Sequence, residues 1–138
     1  MSGAVTEPRP IAPGLFQIDD GVPRLRAAAC EACSRLHFPR TDSCPYCGSG
    51  TCRERLVGDA ATLYLHTAIA TRPPGYRGAL PYGFGVVELP EGLRVITRLT
   101  EADPTKLRPG QPMRLVVDTV HDEDGTPVVS YAYAPADG

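Results

Sequence analysis

Five cysteines are the residues best suited to chemistry in this chain, and four of them form two pairs. Cys30-x2-Cys33 and Cys44-x2-Cys47 are separated by ten residues. That spacing lets two tight turns face each other across one tetrahedral ion. Zinc takes thiolates at about 2.3 Å, and amides in each turn donate to the sulfurs and spread their charge. The second turn, Cys44-Pro45-Tyr46-Cys47-Gly48, has proline to fix its entry and glycine past the last ligand to permit positive φ. The first turn, Cys30-Glu31-Ala32-Cys33-Ser34, lacks that glycine, which places mild strain on Ser34. Four protein thiolates leave no open coordination position, so the expected zinc is structural and metal-assisted hydrolysis is excluded. The rival reading is two redox-active CxxC pairs, but that motif normally opens a helix in an α/β fold, and no such pattern occurs here. Cys52 is left over. It is either a reactive thiol or a strand residue beside the ribbon, and without an adjacent His or helix start the second reading is preferred.

Other chemistry is sparse. His37, His66 and His121 form no recognisable triad, and there is no Gly-x-Ser-x-Gly elbow and no phosphate loop. His66 at a strand centre reads as a surface or packed residue. Arg35 and Arg40 flank the loop between the cysteine pairs, as solvated charges or as contacts to a partner. Asp122-Glu123-Asp124 reads as a solvated hairpin tip. The stretch from Arg72 to Tyr82 (RPPGYRGALPY) is a long loop with Gly, aromatic and basic residues, a composition that often binds something. The plainer reading is a hairpin loop shaped by its prolines.

These residues need elements to hold them. The chain has 138 residues, enough for one compact domain or two very small ones. A module near forty residues usually needs a metal or disulfides to fold. Its 14 Gly and 15 Pro punctuate apolar runs, and no stretch has a clean 3.6 period, so short strands should dominate. Residues 1–23 read as a flexible N-terminal arm whose end is tacked down by Leu15, Phe16 and Ile18. Residues 24–57 are the ribbon, entered by a strand at Arg24–Ala29 and left by one at Thr51–Val57. Residues 58–138 hold five further strands: Thr62–Thr71, Tyr82–Leu89, Leu93–Leu99, Met113–Val120 and Val128–Tyr133. Between the third and fourth of these, Asp103 caps one helical turn begun by Pro104. The fold class is therefore mainly β: an N-terminal rubredoxin-like zinc ribbon followed by a five-stranded OB-fold barrel.

Net charge is −2, which argues against a nucleic-acid binder. No run reaches eighteen apolar residues, and Met1–Pro10 lacks the apolar core of a secretory signal. A cytoplasmic setting with reduced thiols follows.

In order, the chain presents the first cysteine pair, His37-Phe38-Pro39-Arg40, and Cys44-Pro45-Tyr46-Cys47-Gly48-Ser49. It continues with Arg72-Pro73-Pro74-Gly75-Tyr76, Pro81-Tyr82-Gly83-Phe84-Gly85-Val86-Val87-Glu88-Leu89 and Leu107-Arg108-Pro109-Gly110-Gln111-Pro112-Met113. This series resembles the zinc-ribbon OB-fold proteins known as domain of unknown function thirty-five, over roughly residues 24–135. The cysteine pairs alone are generic; Phe-Pro-Arg between them and the Pro-Pro-Gly-Tyr and Pro-Tyr loop make the likeness specific. Members of that family are typically non-catalytic partners of thiolase-superfamily enzymes, both thiolases and thiolase-like aldolases. Some are fused to or associated with MaoC-type hydratases. The resemblance implies an accessory subunit in a hetero-oligomer, helping to form an acyl-CoA channel on such an enzyme. On that reading the loop of Arg72, Pro73, Pro74, Gly75, Tyr76, Arg77 and Tyr82 is the expected contact to CoA or the partner, with Arg72 and Arg77 toward phosphates and Tyr76 or Tyr82 on the pantetheine arm or on the partner. Many members carry a helical aromatic arm before the ribbon, whereas here APGLFQIDDGVP has no helix pattern. The alternative is a nucleic-acid-binding module, since ribbons and OB folds both bind nucleic acids. A free-standing enzyme would need a pocket of paired titratable groups, and the sequence offers no strong candidates.

Overall fold

Alternation of apolar and polar residues builds the second half of the molecule. A computed structural model describes residues 9–12, 14–57, 60–74, 76–78 and 80–136. Strands β6 (Ala60–Ile69), β7 (Tyr82–Glu88), β8 (Arg94–Leu99), β9 (Pro112–Glu123) and β10 (Thr126–Pro135) pair in the order β6-β7-β8-β10-β9 and close back onto β6. All these pairings are antiparallel except β8 with β10. A closed barrel with that order has the OB topology that the sequence predicts. Along β7 every second residue is buried, and those residues point into the barrel. Leu63, Val87, Val95, Leu99, Met113, Leu115 and Tyr133 fill the interior. Two of the inward positions on β7 require glycine. A Cβ on Gly83 would run into the Glu101 carbonyl oxygen, and one on Gly85 into that of Leu65.

Two local features position the outer face. A bulge between Leu63 and Leu65 inserts Tyr64 into β6, which turns Leu65 outward opposite Val86. Between β8 and β9 lies a 3₁₀ turn, Pro104–Lys106, capped by Asp103 Oδ1, which accepts from the Thr105 amide at 3.0 Å. This is the helical turn predicted from the sequence.

The first half is a four-stranded sheet. Strand β3 (Val22–Cys30) is central, with β2 (Phe16–Asp19) and β4 (Leu36–His37) paired to it in turn and β5 (Cys52–Val57) on its other side. Strand β2 lies where the sequence reading places a flexible arm. Asp20 and Gly21 both have positive φ, 50° and 79°, which suits a two-residue hairpin and returns the chain along β3. A further short strand, β1 (Arg9–Pro10), runs parallel to β10. Residues 1–8 and 13 of the expected arm lie outside the described residues.

The two halves share one core. Leu25 and Ala27 of β3 and Val57 of β5 belong to the same buried cluster as the barrel residues. Fully burying a Leu or Val side chain is worth about 1.5–3 kcal/mol, so Leu25 and Val57 couple ribbon and barrel energetically. Phe38, just after β4, stands edge-on to Tyr131 of β10 with ring centroids 5.3 Å apart.

Candidate metal centre and binding loop

Each cysteine pair sits in a turn that aims backbone amides at sulfur. In the first, Ser34 N–H donates to the Cys30 carbonyl at 2.9 Å, and Cys33 N–H points at Cys30 Sγ at 3.4 Å. In the second, Gly48 N–H donates to the Cys44 carbonyl at 2.9 Å, and Tyr46 N–H points at Cys44 Sγ at 3.4 Å. Gly48 has φ of 78° and Ser34 has φ of 66°, so Ser34 adopts the left-handed geometry that glycine would take more easily.

The four sulfurs converge. Cys30 and Cys47 Sγ are 3.6 Å apart, Cys33 and Cys44 Sγ are 3.6 Å apart, and all four lie within 4.8 Å of one another. A tetrahedron with Zn–S bonds of about 2.3 Å has edges of roughly 3.8 Å, so the donor set fits zinc. The electrostatics also ask for a cation. The Cys33 amide, the largest influence on Cys30, helps hold its thiol down to about 6. The Ser49 amide favours the Cys47 thiolate, but the Cys30 sulfur and burial override it and push that thiol up to about 12. Four thiolates this close cannot all ionise unless a cation compensates them. With four sulfur ligands the site is closed, and zinc holds the two turns together.

Around the centre the remaining groups are structural. Cys52 lies opposite Cys30 across β3 and β5, and burial followed by the neighbouring Cys30 charge raises its pKa, the reverse of an activated thiol. His37 is buried, and its Nε2 lies 2.8 Å from Thr41 Oγ1, bracing the loop between the cysteine pairs. Glu54 accepts from Arg26 at 2.6 Å and lies 3.6 Å from Arg40. Arg35 lies over the Tyr46 ring at 5.0 Å.

The loop between β6 and β7 is held by its own arginine. Arg72 Nη1 donates to the carbonyls of Tyr76 and Gly78, at 3.0 and 3.1 Å. Tyr76 N–H closes a turn onto Pro73 O at 3.1 Å, and Pro74 is exposed. The rings of Tyr76 and Tyr82 meet at a tilt of 41° with centroids 4.8 Å apart. Arg77 reaches Glu123 at 3.5 Å and keeps 61% of its side chain exposed. Gly75 lies outside the described residues. The structure adds Arg98 on β8, which sequence reasoning missed. Its guanidinium lies 5.0 Å over Tyr82, donates to Tyr76 Oη at 3.3 Å and sits 3.7 Å from Asp118. The only signal for Arg98 was its alternating position on the outer face, opposite Phe84.

Glu123 also departs from the sequence reading. It is no solvated tip residue: it pairs with Arg9, Arg77 and His121, and the hydrogen bond from His121 is the largest cause of its lowered pKa. His66 faces Gly85 across the β6–β7 pairing, with Nδ1 buried and without a partner. The three histidines lie on separate elements.

Among the described residues, two clefts lie between ribbon and barrel. The larger, about 740 Å³, is lined by Arg35, Arg55 and Arg94 against Glu88 and Glu91. The smaller, about 320 Å³, lies between Phe38 and Pro39 of the ribbon and Phe84, Ile96, Arg98 and Tyr131 of the barrel. No helix among the described residues is long and apolar enough to cross a membrane.

Fold and metal centre define a zinc-ribbon OB-fold protein. Residues 21–51 match the ChsH2 rubredoxin-like zinc ribbon domain, and residues 54–118 match the ChsH2 C-terminal OB-fold domain. The chain is 32% identical to the benzoylsuccinyl-CoA thiolase subunit BbsA of Thauera aromatica, over 83% of this chain and 78% of that one. It is 30% identical to a DUF35 domain-containing scaffold protein of Pyrococcus furiosus, over 81% of this chain and 83% of that one. A solved structure described as an Ltp2-ChsH2(DUF35) aldolase superposes with a TM-score of 0.61 at 28% identity, covering 83% of this chain and 86% of that one. The chain belongs to this ChsH2-type zinc-ribbon OB-fold family.

Proposed function

We propose that this chain is a non-catalytic accessory subunit of a thiolase-superfamily enzyme, a thiolase or thiolase-like aldolase, and that it stabilises the complex and helps form its acyl-CoA channel. The observation that carries the reading is the likeness to the Thauera thiolase subunit along most of both chains. The site geometry agrees with it. The zinc ligand set is closed, and His37, His66 and His121 lie apart on separate elements.

The loop of Arg72, Pro73, Pro74, Gly75, Tyr76, Arg77 and Tyr82 is the proposed contact to CoA or the partner. Within it the roles divide. Arg72 spends its donors on its own loop and sets the shape, whereas Arg77, exposed and loosely paired, is the cation able to turn toward a phosphate. The ribbon over residues 24–57 and the barrel over 58–138 are the two working parts, with residues 1–23 as an arm whose inner strand, β2, is stitched to the ribbon. A reducing, cytoplasmic setting belongs to the same reading and is supported by five unpaired cysteines.

The test is native affinity capture of the tagged full chain from its own host cells, with retained proteins identified by mass spectrometry. A stoichiometric thiolase-superfamily subunit is the expected result, with acyl-CoA turnover that falls when this chain is omitted. Recovery of the chain alone, or with nucleic acid that salt releases, overturns the reading.

A further inference from the structure

The outer face of β6, β7 and β8 carries an apolar row. Leu65 on β6 lies opposite Val86 on β7, and Val86 lies opposite Ile96 on β8. Ile96 is 62% exposed and Leu65 is 49% exposed. Aliphatic side chains at strand centres gain most when covered, so an open row of them marks a surface built for contact. The row runs into the 320 Å³ cleft, whose walls are Phe38 and Pro39 on one side and Phe84 and Tyr131 on the other. Tyr131 Oη donates to the Ile96 carbonyl at 3.0 Å while its ring meets Phe38, so ribbon and barrel together fix the shape of the groove. Arg94 and Arg98 flank Ile96 along β8, each beside a carboxylate of this chain, Glu88 at 3.4 Å and Asp118 at 3.7 Å.

In OB barrels this face and the adjoining first loop are the usual recognition surface. Side-chain chemistry decides what occupies it here. Single-stranded nucleic acid needs open aromatic faces for stacking and cations available to phosphates. On this face Tyr76 and Tyr82 pack against each other with their rings tilted by 41°, Arg98 lies over Tyr82, and Arg94 lies 4.0 Å over the Tyr64 ring and 3.4 Å from Glu88. The apolar groups most open to solvent here are Ile96 and Leu65, which have no π face to offer a base; Tyr64 is also exposed, but Arg94 covers one face of its ring. An aliphatic centre with a charged rim is the anatomy of a protein interface. We infer that the Leu65–Val86–Ile96 row and its groove seat the thiolase-like catalytic subunit, which meets them with apolar side chains. This rests on the accessory-subunit reading and adds to it the face that docks.

The test is calorimetric titration of the zinc-loaded full chain into the purified catalytic subunit identified by affinity capture. Ile96→Glu places an unpaired charge against the partner's apolar side chains and removes the central contact, and it weakens binding about 100-fold or more. Ile96→Ser, a gentler change at an exposed site, weakens it about tenfold. Ile18→Glu, on the exposed tip of the ribbon hairpin, changes it less than about threefold. Zinc content and circular dichroism verify that each variant is folded, and hydrogen exchange in the complex slows at β7 and β8. Unchanged affinity in both Ile96 variants overturns the inference and leaves the subunit reading intact. An equal loss with Ile18→Glu also overturns it, as does an Ile96-dependent dimer of the chain alone or an Ile96-dependent grip on a single-stranded oligonucleotide. If the unaltered chain fails to bind the catalytic subunit, the subunit reading falls first and the inference with it.

Discussion

The ribbon and the barrel solve the same problem by different means. The barrel closes on itself, so every strand finds hydrogen-bond partners on both sides, and its interior is filled by apolar side chains with Tyr133 fully buried. The ribbon has a small sheet, two turns and few large buried residues, and its turns are drawn together by sulfur around an ion. A short segment gains too little from burial to order its loops, and a metal supplies what burial cannot. The difference also separates two kinds of surface: the ribbon exposes Ile18, Val22, Tyr46 and Leu56 singly, whereas the barrel beside it carries the paired row of Leu65, Val86 and Ile96.

Removing the metal breaks this contrast most severely. Cys44→Ser abolishes binding of one zinc per chain, measured by elemental analysis. Structural zinc sites carry apparent binding energies of about 10–16 kcal/mol, so amide protection disappears from residues 30–51. Barrel strands β7 and β8 keep theirs, at lower overall stability. Collapse of all protection at once would mean that the barrel does not stand without its brace. Tyr133→Ala attacks the other side. It costs about 3–5 kcal/mol in urea unfolding, in line with large-to-small aromatic replacements in cores. Zinc stays bound until the global transition, and loss of zinc before that transition would contradict the division.

Proton counting sharpens the comparison at the metal. Without a cation, the Cys33 thiol is raised and Cys47 stands at about 12, so both hold their protons at neutral pH. Zinc binding therefore releases protons, and affinity falls as pH falls. Titration calorimetry in buffers of different ionisation enthalpy reads the number released, and zero release would refute the four-thiolate site. The smallest effect belongs to Glu123→Gln at the barrel's hairpin tip. Glu123 has a lowered pKa in the fold, so its stabilising contribution is present above the ordinary carboxylate value and is lost as pH falls through the lowered one. Melting temperatures of the two proteins differ at neutral pH and converge in acid, and a gap that persists in acid would assign the effect to packing.

Local signals were legible in the sequence and distributed ones were not. The zinc site could be read because its ligands come as two close pairs whose spacing alone dictates a turn. Barrel strands could be read because a half-buried strand writes its burial as alternation, as in β7. The two Asp-Gly turns teach a finer lesson. Asp124 and Gly125 have φ of 52° and 86°, close to Asp20 and Gly21, so the same hairpin chemistry occurs twice. It was recognised at 124–125, between two alternating runs, and overlooked at 20–21, where the preceding strand has only four residues and follows a proline-rich stretch. Arg98, Glu123 and the turning of Arg72 onto its own loop depend on contacts between elements distant in sequence, which no local pattern records. The Tyr64 bulge is likewise set by how β6 must wrap the barrel.

Phe38 gives the brace a second consequence. It lies in the segment between the two cysteine pairs, follows strand β4, and forms one wall of the groove beside Ile96. A chain whose ribbon loosens without its ion, as expected for Cys44→Ser, would lack a defined position for that wall even where the barrel forms. If assembly uses this groove, metal loading comes before it, because the ion holds the turns on either side of Phe38.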